Sequence, residues 1–501
     1  MKILLVNPPV NRLCEVSANY YPLGLGYLSS CLREAGFESL IYNAEFKAKP
    51  FPERTAAERM EAHSRFITSL NNDSHEVWLE YLEVLKKEKP DAVGFSCTSA
   101  TIIPCLKMAK WAKEHGASTI FGGVHPSILP QETLNNDCID YILTGEAEKT
   151  LPAIMRALKK GVRPEGVPGA GWKGESGLVL IPPEEPSRDM DSLPLPDKDH
   201  IVDRESQISL FGGILSSRGC PFKCRFCSGR SMHKGIVRYR KLESVLDEMA
   251  GINKKFGLSR VQFFDDSFLL NKKRAFEFCD KISESGLSMR WSAFTRCDSV
   301  TPEILLRLKA AGCRYLGCGV ESGSDRTLSK IAKGYTRADA IAGMRAIRNS
   351  GIALSMNIII GFPFETVEDV KESISLIREL KVPTNVNTFT PYPGSEIFEE
   401  MMASGDFTGK IDWGRMSQHS HYNEFHREMD RTTYTSLLEE MLAAAEEARA
   451  TYQREVDSKL STTFADWWDA SGANPFKFLC ALPAKLSYGV ARKLKKGLGV
   501  R

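Results

Sequence analysis

The sequence lacks a long uninterrupted apolar segment. No hydrophobic run in its 501 residues reaches the roughly 18 residues that span a bilayer, because charge, glycine or proline interrupts each one. The chain opens with MKILLVNPP, which lacks the basic and apolar regions of a signal peptide. We therefore expect a cytoplasmic protein without a transmembrane helix.

The sequence also lacks a charge excess and a paired cysteine pattern. Its 66 basic and 63 acidic residues leave a net charge of +3, so the total charge does not indicate a nucleic-acid partner. The cysteines number 13, an odd count, and they are scattered along the chain. A secreted disulfide framework is therefore not expected.

Strand and helix patterns alternate in two stretches of the chain, which is typical of parallel sheets built from βαβ units. The candidate strands of the first stretch are 2–7, 38–42, 91–96, 117–122 and 139–143. Those of the second stretch are 208–217, 260–265, 289–294, 315–321, 354–361 and 384–390. Six successive βα units in the second stretch predict a partial or full parallel barrel.

The composition of the other segments indicates where domains end. Glycine, proline and charged residues are frequent between 161 and 205, which predicts a linker with one hairpin, and 45–80 is a polar, partly helical insertion. The predicted fold class is α/β, with an N-terminal doubly wound Rossmann-like sheet, a partial (βα)6 TIM-like barrel and a mostly helical C-terminal region. The predicted limits are 1–160, 161–205 for the linker, 206–395 and 396–501.

Three cysteines follow the first strand of the second stretch. SSRGCPFKCRFCS spaces Cys220, Cys224 and Cys227 as C-x3-C-x2-C. Three thiolates can hold three irons of a 4Fe-4S cluster and leave the fourth iron without a protein ligand. The alternative is a zinc site or unrelated buried cysteines, but structural zinc requires four ligands, and no matching second pair of cysteines exists here.

With Phe226 before its last cysteine, this motif resembles the core of the radical S-adenosylmethionine (SAM) superfamily. The resemblance implies that the open iron binds the amino and carboxylate groups of SAM and delivers one electron. That electron releases methionine and a 5′-deoxyadenosyl radical. An external one-electron reductant such as flavodoxin or ferredoxin is then an expected partner.

The ends of the later strands agree with this resemblance, because a barrel enzyme keeps its ligand contacts there. A carboxylate in FFDDSF can accept from the methionine ammonium, and the arginine of WSAFTRCD can bind a carboxylate or form an ordinary loop salt bridge. GVESGSD resembles the family's ribose-contacting strand end, and NIIIGFPFET resembles the strand that borders adenine. The expected SAM-binding residues are Phe226, Asp265, Asp266, Arg296, Glu321, Ser322, Gly323 and Ile359.

Nearly all of residues 1–160 resemble the cobalamin-binding domain of cobalamin-dependent radical SAM enzymes, through YPLGLGYLSSCLREAGF, VGFSCTSAT, FGGVHPSILPQETL and IDYILTGEAEKTL. Small or hydroxylated residues at a sheet edge let a large corrin and its nucleotide tail approach closely. The alternative is a Rossmann-like domain without a cofactor. The expected cobalamin contacts are Pro9, Ser96, Thr98, Ser99, Gly122, Gly123, His125, Gly145 and Glu146.

No histidine is predicted to bind cobalt. The D-x-H-x-x-G motif of histidine-ligated cobalamin is absent, and the nearest string, Asp73-Ser74-His75, lacks the glycine. His125 is interpreted as a contact to the periphery of the cofactor or as a satisfied loop residue. Two positions depart from the family pattern: Ala147 stands in the Gly-Glu-Gly-Glu run, and Phe364 stands where glycine is common.

The two resemblances imply a methyltransferase that acts on an unactivated carbon of a small molecule or lipid, because cobalamin can be remethylated by a second SAM. A cyclase, ring-contracting or lipid-modifying enzyme is the second hypothesis. A cobalamin-binding sensor is the third, and the intact cysteine motif argues against it.

The C-terminal tail is basic from Lys477 onward, with Trp467, Trp468, Phe476 and Phe478 ahead of it. It is interpreted either as a helix on a membrane surface or as a solvated terminal helix.

Overall fold

The residues that the computed structural model describes are 1–17, 20–52, 54, 55, 58, 61–407, 411–418, 420 and 423–470, with side chains described as far as Ser458. Within these residues the chain forms two large sheets with helices packed against them, and a short two-stranded ribbon.

The first sheet has seven strands in the order β2-β1-β3-β4-β5-β6-β7. Strands β1 to β5 are parallel, and β6 and β7 form an antiparallel hairpin at the edge. The hairpin lies in the segment predicted as a linker, so the sheet continues beyond residue 160. The strands are β1 Lys2–Asn7, β2 Glu38–Asn43, β3 Ala92–Ser96, β4 Ser118–Gly122, β5 Tyr141–Leu143, β6 Ala170–Gly174 and β7 Gly177–Leu180.

Strand β1 explains why this sheet is covered on both faces. Leu4 and Val6 are buried in one core cluster, and Ile3 and Leu5 are buried in another. Successive side chains point to opposite faces, so a continuous apolar run packs against helices on both sides. Those helices are α1 Leu23–Glu34, α2 Ala62–Asn71, α3 Glu76–Glu88, α4 Ile102–Glu114, α5 Val124–Ile128, α6 Pro130–Leu134 and α7 Thr150–Lys159.

The polar insertion predicted at 45–80 is part of this core. Helices α2 and α3 begin within it, and they bury Phe66, Trp78 and Tyr81 against the first sheet. The Trp78 indole donates a hydrogen bond to the backbone carbonyl of Ser69 at 3.1 Å. The insertion therefore packs as a structural part of the first sheet's helical layer.

The second sheet has six parallel strands in the order β15-β14-β13-β12-β11-β8. Spatial order follows chain order, as in a barrel, and no pairing joins β8 to β15 among the described residues. The strand expected over 208–217 is shorter in the structure, because Ile208–Leu210 form a 3-10 turn. The strands are β8 Gly213–Ile214, β11 Arg260–Phe263, β12 Arg290–Thr295, β13 Cys313–Glu321, β14 Ala353–Ile360 and β15 Thr384–Thr388.

Between β8 and β11, β9 Ser217–Arg218 and β10 Arg238–Tyr239 pair as an antiparallel ribbon. The long helices of this part of the chain pack on the outer face of the six-stranded sheet, and shorter helices lie in its connections. They are α8 Arg204–Gln207, α9 Gly229–His233, α10 Leu242–Phe256, α11 Lys272–Glu284, α12 Pro302–Ala310, α13 Asp325–Lys330, α14 Arg337–Ser350, α15 Val367–Leu380, α16 Glu396–Ser404 and α17 Arg431–Ala470.

The described part of the region after residue 395 is mostly helical, as predicted. Helix α17 packs along α15 and β15 and buries Tyr434, Leu438 and Met441 in the core of the barrel. The predicted fold class is therefore confirmed. In the described part of the chain, no helix has both the length and the apolar character needed to cross a membrane. Residues 471–501, which carry the basic tail, and the side chains of Trp467 and Trp468 lie outside the described residues.

Candidate cofactor sites

The cysteine loop begins at a backbone constraint. Gly219 has φ +100°, and a side chain there would collide with the carbonyl oxygen of Ile236 in the approach to β10. The Gly219 amide donates to Oδ2 of Asp266 at 3.0 Å. The direction in which the chain leaves β9, immediately before Cys220, is therefore fixed by the ribbon and by the end of β11.

The three motif cysteines lie in one loop and influence one another's ionisation. Burial raises the pKa of the Cys220 and Cys227 thiols, and the nearby Cys224 raises both further. No described cysteine is in a disulfide. No three described His, Cys, Asp or Glu side chains are grouped as a single metal ion would require. The donor set, three free thiols in a short loop, has the chemistry that a 4Fe-4S cluster needs.

The two carboxylates after β11 hold the start of this loop. Asp265 is buried and accepts from the Ser216 amide at 2.7 Å and from the hydroxyls of Ser216 and Ser217 at 2.5 and 2.7 Å. Burial raises the pKa of Asp265, and these hydrogen bonds oppose the rise. Both oxygens of Asp265 are therefore engaged by the protein, whereas Asp266 is exposed and uses one oxygen on Gly219. Of the two, Asp266 has the oxygen that a ligand can reach.

Arg296 forms the loop salt bridge that the sequence left open. Its guanidinium donates to both Asp298 carboxylate oxygens at 2.9 Å and to the carbonyl of Lys333 at 2.6 Å. It also lies 3.8 Å from the ring centroid of Phe222, which is in the cysteine loop, and 4.9 Å from that of Tyr335. Arg296 therefore links the end of β12 to the cysteine loop, and its expected role with SAM stays a prediction.

Glu321 ends β13 in a left-handed backbone conformation, with φ +74°. Its buried Oε1 accepts from the Lys333 ammonium at 2.9 Å. Burial lowers the pKa of Lys333, but the charges of Glu321 and Cys224 outweigh burial, and the net shift is upward. Sequence reasoning missed Lys333, which lies in a loop without a motif, twelve residues beyond its partner.

The other expected SAM residues divide into two groups. Gly323 faces helix α15: a Cβ there would lie 2.6 Å from the Glu372 carbonyl, and its amide donates to the Ser373 hydroxyl at 2.8 Å. The absence of a side chain at Gly323 thus lets the backbone approach helix α15 closely. Ser322 is also turned toward Ser373. Phe226 and Ile359, by contrast, pack in the same small apolar cluster near the cysteine loop.

The carboxyl edge of the first sheet opens into two cavities. One, of about 280 Å³, is lined by glycines and apolar side chains from α1, β3, β4 and the turn after β5, including Gly24, Gly94, Ser96, Gly122, Gly123, Leu143, Gly145 and Glu146. Gly123 has φ +109°, and a Cβ there would lie 2.7 Å from the Cys97 carbonyl. The narrow apolar space and the bare backbone fit the flat nucleotide base of a cobalamin.

The second cavity, of about 410 Å³, lies at the carboxyl edge of the first sheet and reaches residues that follow the last barrel strand. Pro8, Ser96 and Thr98 line it from the first sheet, and Tyr392 and Gln418 line it from the barrel side. It is larger than the first cavity and has more polar groups in its lining, so it fits part of a corrin better than the first cavity does. Of the expected cobalamin contacts, Ser96 lines both cavities, whereas Pro9, Ser99 and His125 line neither.

The side chain of His125 is buried, contacts other protein side chains and lines neither cavity at the carboxyl edge of the first sheet. Its Nδ1 is 3.0 Å from the Ser99 hydroxyl, and its ring meets Trp413 edge-on at 5.0 Å. Burial lowers the pKa of His125 to about 4, so the imidazole is neutral, and its buried Nε2 has no partner among the described residues.

His75 caps helix α3, where its Nδ1 accepts from the Val77 amide at 3.3 Å.

Glu146 lines the smaller cavity, and two arginines bind its carboxylate. Arg238 donates to Oε2 at 2.9 Å and Arg218 to Oε1 at 3.3 Å, while Arg218 also pairs with Glu148 at 2.7 Å. Arg218 and Arg238 are direct partners in the β9–β10 ribbon. Glu146 therefore joins the cobalamin-side edge to the ribbon that leads into Cys220, and sequence reasoning missed both arginines.

Two family models match the chain: the radical SAM superfamily over residues 214–377 and the B12 binding domain over 13–155. An uncharacterized methyltransferase of Pyrococcus horikoshii is 31% identical over 412 residues, which cover 81% of this chain and 84% of that protein. This chain belongs to the cobalamin-dependent radical SAM enzymes.

Other similar proteins are named for different reactions. The anaerobic magnesium-protoporphyrin IX monomethyl ester cyclase of Rubrivivax gelatinosus is 25% identical over 417 residues, covering 80% of this chain and 70% of that protein. The radical SAM methyltransferase TsrM of Kitasatospora setae, solved with cobalamin and a [4Fe-4S] cluster, is 20% identical. It shares the fold with a TM-score of 0.62 over 82% of this chain and 76% of its own.

Proposed function

We propose that this radical SAM enzyme methylates an unactivated carbon of a small molecule or lipid. The observation that carries the proposal is the cavity of about 410 Å³, which is lined mostly by the carboxyl edge of the first sheet and on the other side by Tyr392, from the loop after the last barrel strand. A methyl donor held on the first sheet then faces the end of the barrel where SAM is expected. The methyltransferase name of the Pyrococcus horikoshii relative also supports it.

The proposal assigns each cofactor to residues of this chain. Cys220, Cys224 and Cys227 hold the cluster, and Glu321 and Asp266 bind the ribose and ammonium of SAM. The glycine-lined edge of the first sheet holds cobalamin without a histidine on cobalt. When bound, the cluster supplies one electron from a flavodoxin or ferredoxin, and cobalamin supplies a methyl group that a second SAM restores.

The test is anaerobic reconstitution with cobalamin and methyl-deuterated SAM, using a fractionated extract of small molecules and lipids as the substrate source. Methylation predicts 5′-deoxyadenosine, S-adenosylhomocysteine and a product that carries the deuterated methyl group, all measured by mass spectrometry. Formation of 5′-deoxyadenosine without the other two products would contradict methyl transfer.

A radical cyclase is the second candidate function, because the Rubrivivax gelatinosus relative is named as one. It predicts 5′-deoxyadenosine and a product of unchanged carbon count in the same experiment. A preparation that binds no cobalamin would contradict both candidates.

A further inference from the structure

The inner face of the second sheet is left uncovered by the helices. Along each strand alternate side chains point to opposite faces, and the outward ones, such as Phe263 and Trp291, are buried under helices. Two large apolar side chains of the opposite face are exposed: Phe264 by 38% and Phe294 by 37%. Exposure of phenylalanine inside a barrel sheet indicates a surface that a ligand covers.

The two phenylalanines are neighbours whose rings lean apart. Gln262 pairs with Ser292, so the positions two residues further along, Phe264 and Phe294, face the lumen side by side. A Cβ built on Gly317 of β13 would lie 2.5 Å from Phe294 Cε1. On the opposite side, a Cβ on Gly213 of β8 would lie 3.1 Å from Phe264 Cε2. Each ring therefore lies over a glycine of its outer neighbour. The space between the two rings is here called the ring slot.

The ring slot adjoins the cavity of about 410 Å³. The would-be Cβ of Gly213 also lies 2.7 Å from Leu23 Cδ1, and Leu23 lines the 410 Å³ cavity. A molecule in the slot is thus separated from that cavity by about one side chain. This placement is what a methylation substrate requires, and the inference below rests on the proposed function.

Neutral polar groups flank the two phenylalanines on the same face: Gln262 and Ser292 toward the amino end of the strands, and three asparagines toward the carboxyl end. Asn385 donates an amide hydrogen to Asn357 Oδ1 at 2.9 Å, and the two residues are register partners. The side chains of Gln262, Ser292 and Asn387 are partly exposed and make no hydrogen bond to the described residues. Their amide and hydroxyl groups are free to bind a ligand.

Charged side chains occur on this face at its two ends. Glu321, at the carboxyl end, is neutralised by Lys333. Arg260 and Arg290 are register partners at the amino end and are exposed. Between these ends, the phenylalanine layer carries no formal charge. The asparagine layer is bordered at Gly319, the register partner of Asn357, by the Glu321–Lys333 pair, whose charges neutralise each other. Asp266, two positions beyond Phe264, adds a negative charge that disfavours an anionic ligand.

We propose that the ring slot binds a flat ring of an uncharged substrate, and that Asn357, Asn385 and Asn387 bind its polar substituents. Aromatic side chains contribute about 0.5–1.5 kcal/mol to a ring contact beyond area burial. A carboxylate beside these groups would lose hydration without gaining a cation. An alkyl chain would leave the amides without partners. The class of substrate narrows from any small molecule or lipid to a neutral, ring-bearing molecule.

The test uses three probes on the holoenzyme with cluster, cobalamin and SAM but no reductant, so that SAM stays intact. The probes are 2-naphthamide, 2-naphthoate, which carries the same ring with a charge, and decanamide, which carries the same amide without a ring. We expect 2-naphthamide to bind at least about tenfold more tightly than either, measured by calorimetry or ligand-observed NMR. Equal binding of 2-naphthoate or of decanamide would overturn the corresponding part of the inference.

Substitution of Gly317 tests the location of the site. Gly317→Ala places a methyl group against the Phe294 ring and forces the ring into the slot, so 2-naphthamide binding should fall at least about tenfold. Gly317→Ala/Phe294→Leu removes the obstruction and should recover part of the binding. Gly251→Ala, in open space on helix α10, is the matched control. Unchanged binding by Gly317→Ala would place the probe elsewhere.

The same preparations separate this inference from the proposed function. If SAM cleavage and methyl transfer persist while no ring probe binds, the ring slot is refuted and methyl transfer stands. If the probe binds but no methylated product or S-adenosylhomocysteine forms with reductant, the methyltransferase proposal fails on its own.

Discussion

The carboxyl edges of the two sheets are built on different principles. The second edge is rich in charge, and two ion pairs, Glu321 with Lys333 and Arg296 with Asp298, are formed inside the protein there. The first edge is formed by glycines and small side chains around cavities of about 280 and 410 Å³. Ion pairs therefore organise the edge of the second sheet, whereas the shape of the cavities organises the edge of the first sheet.

This contrast suits the ligands that the family uses. SAM is a compact charged molecule, so its site gains from charges held in position before it binds. Cobalamin is far larger, so its site needs bare backbone and space more than charge. The pair of arginines that bind Glu146 connects the two edges, because both stand in the β9–β10 ribbon, whose strands precede and follow the cysteine loop.

The largest expected effect comes from substitution in the cysteine loop. It should remove the function of the second edge and leave that of the first edge unchanged. Cys224→Ala should abolish cluster binding and SAM cleavage while cobalamin binding persists, because the loop is on the second edge. Iron content and 5′-deoxyadenosine measure the loss, and bound cobalamin is read from its absorption spectrum. Cys31→Ala, on helix α1, is the control. Loss of cobalamin together with iron would break the comparison.

The buried pair at the second edge should give the next largest effect. Lys333→Met leaves the Glu321 carboxylate buried without its cation, which typically costs about 3–5 kcal/mol of unfolding free energy. Lys333→Met/Glu321→Gln should recover most of it, since no charge is then left unpaired. Denaturant unfolding measures both, with exposed Lys371→Met as the control. If the single and double variants lost the same unfolding free energy, the Glu321–Lys333 ion pair would not be what stabilises this edge.

Filling the first edge should weaken cofactor binding without unfolding the sheet. Gly24 lies on helix α1, lines both cavities and has no atom within 4 Å of its would-be Cβ. Gly24→Phe should lower cobalamin affinity about tenfold, as overpacking by about 1–3 kcal/mol implies. Gly251→Phe, also in open helix space, should leave the affinity unchanged. Full cobalamin affinity in Gly24→Phe would show that shape does not organise this edge.

The last effect changes neither cofactor and concerns a carboxyl group beside the second edge that is kept neutral. Burial raises the pKa of Glu365 to about 8, while its Oε2 accepts from the Gly361 amide at 2.6 Å. The folded state therefore holds a proton that the unfolded state loses near its ordinary pKa of about 4.3. Stability falls as pH rises between these two values, by up to about 1.4 kcal/mol per pH unit.

Glu365→Gln keeps an oxygen for Gly361 and removes the titrating group, so this part of the pH dependence should disappear. Melting temperatures of the wild type and the variant between pH 5.5 and 7.5 give the comparison. Parallel profiles for the two proteins would show that Glu365 is ionised in the folded state.

The sequence alone was sufficient for features that depend on neighbours along the chain. The C-x3-C-x2-C spacing, the alternation of strands and helices and the glycines at strand ends are local patterns. They predicted the two α/β units and the cluster loop. The hairpin β6–β7 was predicted only as part of a linker, because Gly, Pro and charged residues there concealed its place at the edge of the first sheet.

The tertiary structure decided what each polar residue contacts. Lys333 as partner of Glu321, Arg218 and Arg238 as partners of Glu146, and helix α15 opposite Gly323 all join segments that no local pattern connects. The ring slot depends likewise on glycines of neighbouring strands. Interaction energies fall steeply with distance, and distance between remote segments exists only once the chain has folded. The sequence by itself therefore determined which chemistry this protein can perform, and the fold determined which side chains are left free to perform it.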